Sequence, residues 1–206
     1  MRIMTKIKIC GLSREEDIEY ANICRPDYVG FVFAPSKRRI SAEKAKELRA
    51  LLDPGIVCVG VFVNETVDTV ADIFTSGIID MVQLHGDEDA VFLRKLRSIV
   101  DVPVIKAVRV DGTLILPDMD PDYFMFDAPS ATLRGGSGET FRWDSVCGYD
   151  KDYFLAGGIN ADNVEMAIKQ LDPFCVDVSS GVETDGKKDL DKMSEMVRKV
   201  RGSRDG

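Results

Sequence analysis

Short runs of apolar, β-branched and aromatic residues recur along this chain, and most of them are followed by a stretch of helical periodicity. The runs are nearly continuous in apolar character, which is typical of strands covered on both faces of a sheet. Eight such runs within 206 residues favour an α/β fold of the (βα)8 TIM-barrel type over an open sheet. The predicted strands cover residues 7–10, 28–33, 56–63, 81–84, 102–108, 123–126, 153–156 and 174–178.

The segments between these strands begin at residues that cap helices well. In the first, Ser13 and Glu16 have the spacing of a capping box. The segment 111–122 is different, because Pro117 and Pro121 oppose a helix there, so the fifth helix is expected to be reduced or missing. The predicted helices cover residues 13–24, 41–52, 66–76, 87–99, 160–171 and 189–200.

Length and charge limit the function classes. With 206 residues and no composition shift, we expect one catalytic domain over residues 1–206. The net charge of -8 opposes a nucleic-acid partner, because such binding depends on clustered basic residues. No apolar run approaches the roughly 18 residues of a membrane span, and no export signal is apparent, so a cytoplasmic protein is expected. The five cysteines are widely spaced, which predicts reduced thiols rather than disulfides or a zinc site.

Polar groups follow several predicted strands, at the end where a barrel of this type carries its chemistry. Cys10 ends the first strand and Asp127 follows the sixth, just before the glycine loop 135–138. The loops after strands seven and eight combine bare backbone with small hydroxyls, which is the chemistry of a phosphate cradle. The predicted phosphate-binding residues are Gly157, Gly158, Ser179, Ser180 and Gly181.

Six fragments at the strand ends together carry a resemblance to the phosphoribosylanthranilate isomerase family of tryptophan biosynthesis. Each fragment is weakly specific alone, but their order and positions match almost from end to end. The fragments are KICG at 8–11, VGFVF at 29–33 with SKRRIS at 36–41, VGVFVN at 59–64, VQLHG at 82–86, Asp127 with the glycine loop 135–138, and VDVSSGVE at 176–183.

The resemblance implies an Amadori rearrangement of N-(5-phosphoribosyl)anthranilate to 1-(2-carboxyphenylamino)-1-deoxyribulose 5-phosphate, with no metal or cofactor. Asp127 matches the family's general acid, which protonates the ring oxygen, and Cys10 matches the base that removes the C2 proton. Arg38 matches the contact to the anthranilate carboxylate, with Arg39 as a competitor. Asp177 is expected to bind a sugar hydroxyl. The implied partner is a phosphorylated small molecule, and the protein is expected to be a monomer or homodimer.

Other interpretations of these residues stay open. A lone cysteine in a strand is usually a small buried hydrophobe, and an aspartate after a strand is usually a turn residue. His85 and Lys106 receive no role. The stretch 128–134 and Glu139 depart from the family pattern and place loop dynamics or substrate affinity in doubt. A related phosphosugar isomerase and a phosphosugar-binding barrel without catalysis are the alternative functions.

Overall fold

The computed structural model describes residues 4–110, 113–127, 146 and 148–203, and eight strands in it close into one parallel barrel in chain order. The first strand pairs with the second and with the eighth, which completes the closure. The predicted fold class is therefore confirmed, with strand ends shifted by one or two residues. The barrel strands are β1 Lys6–Cys10, β2 Tyr28–Val32, β3 Val57–Phe62, β4 Met81–Leu84, β5 Val104–Arg109, β6 Tyr123–Asp127, β7 Tyr153–Ala156 and β8 Cys175–Val178.

Six α-helices of the described residues surround the strands: α1 Glu15–Cys24, α2 Ala42–Leu51, α3 Val67–Thr75, α4 Ala90–Ile99, α5 Val164–Leu171 and α6 Leu190–Gly202. Ser41, Thr66 and Asp189 cap α2, α3 and α6 through their side chains, as predicted. Residues 113–122, between β5 and β6, form no helix, in agreement with the expected reduction.

Three predicted helix starts are wrong. At α1 the carboxylate of Asp17, not Glu16, accepts the backbone N–H groups of Ser13 and Arg14 at 2.9 and 3.1 Å. The helix α4 begins after Asp89 rather than at residue 87, since Asp89 accepts two backbone N–H groups of the first turn. The helix α5 begins after residue 163, because the side chain of Asn160 instead closes a tight turn with the N–H of Asp162.

A two-residue turn after β8 builds a small hairpin that the sequence analysis did not predict. Its strands are β9 Glu183–Thr184 and β10 Lys187–Lys188, paired antiparallel. Asp185 and Gly186 between them both have positive φ, 51° and 76°, as a type I′ turn requires. The hairpin returns the chain so that Glu183 and Lys188 face each other.

The alternation of side chains along the strands divides the apolar core in two. Residues such as Ile7 and Ile9 point outward and pack under the helices. Residues of the other parity, including Tyr28, Met125 and Phe154, fill the interior of the barrel. On β1 the inward positions are polar, since Lys8 and Cys10 have this second parity. No helix among the described residues is long and apolar enough to cross a membrane.

Candidate active site

A cavity of about 400 Å³ lies at the C-terminal ends of the barrel strands. Its volume falls within the range of small-molecule sites. We call it the strand-end cavity, and it is lined by Cys10, Val32, Ser36, Arg38, Val61, Gln83, His85, Asp127, Ala156, Gly157, Gly158, Ile159, Asp177, Ser179 and Ser180. Both predicted catalytic residues, both predicted substrate-binding residues and four of the five predicted phosphate-binding residues therefore line one cavity.

Cys10 ends β1 with only 8% of its surface exposed. The neighbouring strand gives the sulfur room, because a Cβ at Gly30 would lie 2.8 Å from Sγ. Burial raises the pKa of the Cys10 thiol above its ordinary value, and the positive charges of Lys8 and Lys188 oppose that rise only in part. Without substrate the thiol therefore holds its proton more firmly than a free cysteine does.

Lys8 lies one inward position below Cys10 and is fully buried. Its Nζ donates to Oδ1 of Asp177 at 2.9 Å across the β1–β8 pairing, in which the two residues are directly opposite. Burial alone would lower the pKa of Lys8, but Asp177 and Cys10 together outweigh it, so the pKa lies above its ordinary value. The lysine is therefore a buried cation at the edge of the cavity.

Asp127 ends β6 and contacts the only histidine of the chain. The Nε2 atom of His85 lies 3.3 Å from Oδ2 of Asp127, and Nδ1 lies 2.8 Å from the side-chain nitrogen of Gln83. An amide nitrogen only donates, so Nδ1 accepts and the proton is on Nε2, which donates to Asp127. His85, which the sequence analysis left without a role, thus orients the predicted acid.

Arg38 forms a bidentate ion pair with Glu183 of the hairpin. Its Nε and Nη2 atoms donate to the two carboxylate oxygens at 2.6 and 2.8 Å. Buried Lys188 donates to the same carboxylate at 2.9 Å. Burial would raise the pKa of Glu183, but the hydrogen bonds from Arg38 and Lys188 outweigh it and lower the pKa to about 2. Arg39 is exposed and does not line the cavity, so it does not compete for the role of Arg38.

Gly11 explains how Arg38 reaches the cavity. It has a φ of 85°, and a Cβ there would lie 2.3 Å from Cδ of Arg38. Any other residue would therefore displace the guanidinium. Gly11, which follows Cys10 in the sequence, thus leaves the space that the Arg38 side chain occupies.

The two predicted phosphate loops lie side by side at the same rim. Gly157 and Gly158 have positive φ values of 96° and 63°, which only glycine adopts readily. Ser179 donates its hydroxyl to the carbonyl oxygen of Cys10 at 3.0 Å. Gly181 differs from the prediction in that it does not line the cavity. A Cβ there would lie 2.3 Å from the carbonyl oxygen of Ile159, so it lets the two loops pack together.

One further cation of the barrel, Lys106, does not line the cavity. Lys106 is buried and donates to Glu88 at 2.9 Å and to the carbonyl oxygen of Gly86, so it stabilises a loop. The glycine loop 135–138, the stretch 128–134 and Glu139 lie outside the described residues. Cys10, Cys24, Cys58 and Cys175 are free thiols, and no group of His, Cys, Asp or Glu in the described part of the chain could hold a metal ion.

Five polar residues around the cavity were not predicted to belong to the site: Lys8, Gln83, His85, Glu183 and Lys188. Three of them carried a usable signal, because Lys8, Gln83 and His85 lie within or at the end of apolar strands with the inward parity. Glu183 and Lys188 flank the Asp185–Gly186 dipeptide, which favours a hairpin that pairs them, but no local pattern shows that this hairpin packs against Arg38.

Comparison with known families places this geometry in context. The family model of N-(5'phosphoribosyl)anthranilate (PRA) isomerase matches residues 7–199. A relative from Endomicrobium trichonymphae, named N-(5'-phosphoribosyl)anthranilate isomerase, is 48% identical over 198 residues, which are 96% of this chain and 99% of the relative. A relative of the same name from Thermoanaerobacter sp. (strain X514) is 46% identical and covers 98% of this chain and 100% of its own.

Solved structures give the same picture. The phosphoribosyl anthranilate isomerase of Thermotoga maritima is 36% identical and superimposes with a TM-score of 0.82, covering 97% of this chain and 100% of its own. A phosphoribosyl anthranilate isomerase in complex with reduced 1-(o-carboxyphenylamino)-1-deoxyribulose 5-phosphate is 34% identical, with a TM-score of 0.81 and the same coverage.

Proposed function

The chain belongs to the N-(5'-phosphoribosyl)anthranilate isomerase family, and from that premise we propose how its strand-end cavity carries out the reaction. The reaction is the Amadori rearrangement of N-(5'-phosphoribosyl)anthranilate to 1-(2-carboxyphenylamino)-1-deoxyribulose 5-phosphate in tryptophan biosynthesis. The observation that carries the proposal is that a strand-end thiol and a strand-end carboxyl group line the same cavity, between an arginine and two glycine and serine loops.

Asp127 is the general acid of the first step. Its carboxyl proton passes to the ring oxygen of the ribose as the C1–O bond breaks, and the lone pair of the anthranilate nitrogen forms the Schiff base. The side chain is 39% exposed to the cavity, so a substrate can reach it. His85 fixes the orientation of the Asp127 carboxyl group.

Cys10 is the general base of the second step. Its thiolate removes the proton from C2, and the electrons of that C–H bond move toward the iminium nitrogen to form the enolamine. The Asp127 carboxylate then takes the proton of the C2 hydroxyl and the Cys10 thiol gives a proton to C1, which forms the ketone and restores both residues. Since burial raises the pKa of the thiol, a nearby positive charge is needed to keep part of it ionised.

Binding groups lie on either side of these two residues. The Arg38 guanidinium suits the planar anthranilate carboxylate, because Glu183 holds it through Nε and Nη2 and leaves Nη1 for the ligand. Asp177 accepts a sugar hydroxyl. The backbone of Gly157, Gly158, Ser179 and Ser180 holds the phosphate, with Gly181 supporting the loop. The ligand in the similar solved complex carries a carboxylate and a phosphate, which agrees with this division of the cavity.

We further propose that the protein acts in the cytoplasm as a monomer or a homodimer. Free thiols at four described cysteines fit a reducing compartment. One similar solved structure is of monomers generated from the dimeric phosphoribosylanthranilate isomerase of Thermotoga maritima, so a dimer is known for a similar protein. Sedimentation of the purified protein over a range of concentrations distinguishes them.

The experiment that tests the function follows the loss of substrate fluorescence when the protein is added to freshly generated phosphoribosylanthranilate. We expect rapid loss with the wild type and a loss about 10²-fold slower or more with Asp127→Asn. The matched control is Asp122→Asn, at the other end of β6, where Asp122 accepts the backbone N–H of Val104 outside the cavity. This control should turn over normally.

The same experiment separates the alternatives. A phosphosugar-binding barrel without catalysis would bind a product analogue but give no fluorescence loss with the wild type. A related isomerase would turn over a different phosphosugar and leave phosphoribosylanthranilate unchanged. Normal turnover by Asp127→Asn would contradict the assignment of the acid while keeping the function.

A further inference from the structure

We propose that Lys8 is a positioning residue for catalysis: its ammonium group stabilises the thiolate of Cys10, and Asp177 holds the ammonium group in place. The inference deepens the proposed function and rests on Cys10 being the base. It starts from the sequence of β1, in which Lys8 and Cys10 are two residues apart and therefore point to the same side of the strand.

Because Lys8 is buried, its ammonium group can interact only with groups inside the barrel. Lys8 is 0% exposed, so its charge is neither hydrated nor available to a surface partner. A buried lysine is costly unless its charge is paired, and Asp177 pairs it at 2.9 Å from the directly opposite position of β8. Asp177 and Cys10 both line the strand-end cavity. The ammonium group of Lys8 therefore lies inside the barrel, below Cys10 and Asp177, which face the substrate.

The electrostatics agree in sign with this role. Burial raises the pKa of the Cys10 thiol, the positive charge of Lys8 lowers it, and the carboxylate of Asp177 acts more weakly in the opposite direction. Two other cations, Lys188 on β10 and Arg38 after β2, also interact with Cys10, but both are paired with Glu183. His85 and Asp127 face the same cavity from β4 and β6. Among these groups, Lys8 lowers the pKa of Cys10 most.

The experiment measures ionisation of Cys10 directly and apart from turnover. The ultraviolet absorbance of the thiolate is followed against pH, and the same titration of Cys10→Ala is subtracted to isolate Cys10. Substituting Lys8→Gln should raise the pKa of the thiol by about one unit or more, since a buried positive charge on the same face of β1 is removed. The acid limb of the pH profile of kcat/KM should shift to higher pH by the same amount.

A matched control comes from the same strand. Lys6 has the same parity as Lys8 but lies one layer lower, where its Nζ atom is 4.7 Å from the centroid of the Phe174 ring. Lys6→Gln removes an identical charge and should leave both the thiol pKa and the pH profile unchanged. Lys8→Arg retains the charge and should restore the wild-type profile wherever the barrel accommodates the larger side chain.

Removing Lys8 alone leaves the Asp177 carboxylate, whose side chain is only 11% exposed, without its partner, and this destabilises the folded variant. The double substitution Lys8→Met with Asp177→Asn removes both charges together. Because Lys8 acts on the thiol more strongly than Asp177 does, the double variant should still raise the pKa of Cys10. Its readout is the thiolate absorbance, since Asp177 belongs to the proposed binding groups.

The outcomes separate this inference from the proposed function. An unchanged thiol pKa in folded Lys8→Gln and in the double variant overturns the role of Lys8, even if Cys10→Ala is inactive. A raised pKa with turnover that does not follow it overturns Cys10 as the base. If Lys6→Gln raises the pKa of the thiol as much as Lys8→Gln does, the effect is one of overall charge, and this result also rejects the proposal.

Discussion

The barrel interior is packed with aromatic rings at the N-terminal ends of its strands, whereas at the C-terminal ends it holds charged groups in pairs around a cavity. At the lower end Phe154 contacts the rings of Tyr28, Tyr123 and Phe174, with centroids 5.5 to 5.7 Å apart. At the upper end Lys8 pairs with Asp177 and Arg38 with Glu183. On β8, Cys175 packs with the lower rings, whereas Asp177, two residues further along the same strand, lines the cavity.

This contrast shows how one fold separates stability from chemistry. Edge-to-face ring contacts act only at short range and do not involve water. They hold the N-terminal ends of the strands together. Charged groups near the cavity cost burial energy and are retained because each has a partner. Substitutions at the lower end should therefore cost stability at every pH, whereas substitutions at the upper end should change turnover or the pH dependence of stability.

The largest expected effect is at the lower end. Phe154 is fully buried, and Phe154→Ala removes a ring that three other rings contact. Substitutions of this kind cost about 3–5 kcal/mol of the free energy of unfolding, because they leave a cavity. We expect that loss in urea unfolding, with kcat/KM of the folded fraction within a few-fold of the wild type. A folded, stable variant with strongly reduced turnover would contradict the separation of the two ends.

The second prediction compares two buried cysteines of the barrel interior. Cys10 lines the strand-end cavity, while Cys175 lies at the start of β8 with 0% exposure. Cys10→Ala should lower turnover by about 10²-fold or more, equivalent to about 2.7 kcal/mol, with a small change in stability. Cys175→Ala should instead leave turnover normal and lower the free energy of unfolding by about 1 kcal/mol.

Steady-state kinetics and urea unfolding of both cysteine variants check this comparison. Similar kinetics in the two variants would show that position along the strand does not decide the role of the thiol. An inactive Cys175→Ala that folds normally would place chemistry at the lower end.

The sequence predicted the barrel because its dominant signal is local. Nearly continuous apolar runs identify strands buried on both faces, and the rule that catalytic groups follow such strands found Cys10 and Asp127. The predicted capping box at α1 was wrong because Asp17 and Glu16 are adjacent carboxylates. Only the backbone geometry decides which of them accepts the N–H groups that precede the helix.

The site residues that were not predicted differ in whether a local sequence pattern marks them. A lysine inside an apolar strand is unusual, so the parity shared by Lys8 and Cys10 was readable in the sequence. Glu183 has no comparable signal, because its contact with Arg38 joins residues 145 positions apart. The Asp185–Gly186 dipeptide favours the turn of the hairpin, but no local pattern shows that the hairpin brings Glu183 to Arg38.

The smallest prediction concerns this upper-end pair and the pH dependence of stability. The pKa of Glu183 is lowered to about 2 from an ordinary 4.5. A carboxyl group with a lowered pKa in the folded state stabilises the fold above its unfolded pKa. This stabilisation is lost as the pH falls from about 4.5 through about 2. The side chain is only 6% exposed, so we expect a contribution on the order of 2 kcal/mol.

Glu183→Gln should therefore be less stable than the wild type at neutral pH, and the difference should shrink as the pH falls toward 2. Urea unfolding of both proteins at several pH values measures this difference. The control is Glu47→Gln, since Glu47 is 65% exposed in a surface ion pair with Lys44, where removal costs less than about 1 kcal/mol at any pH. A difference that stays constant with pH would show that Glu183 acts through packing rather than charge, and the upper end would then resemble the lower one.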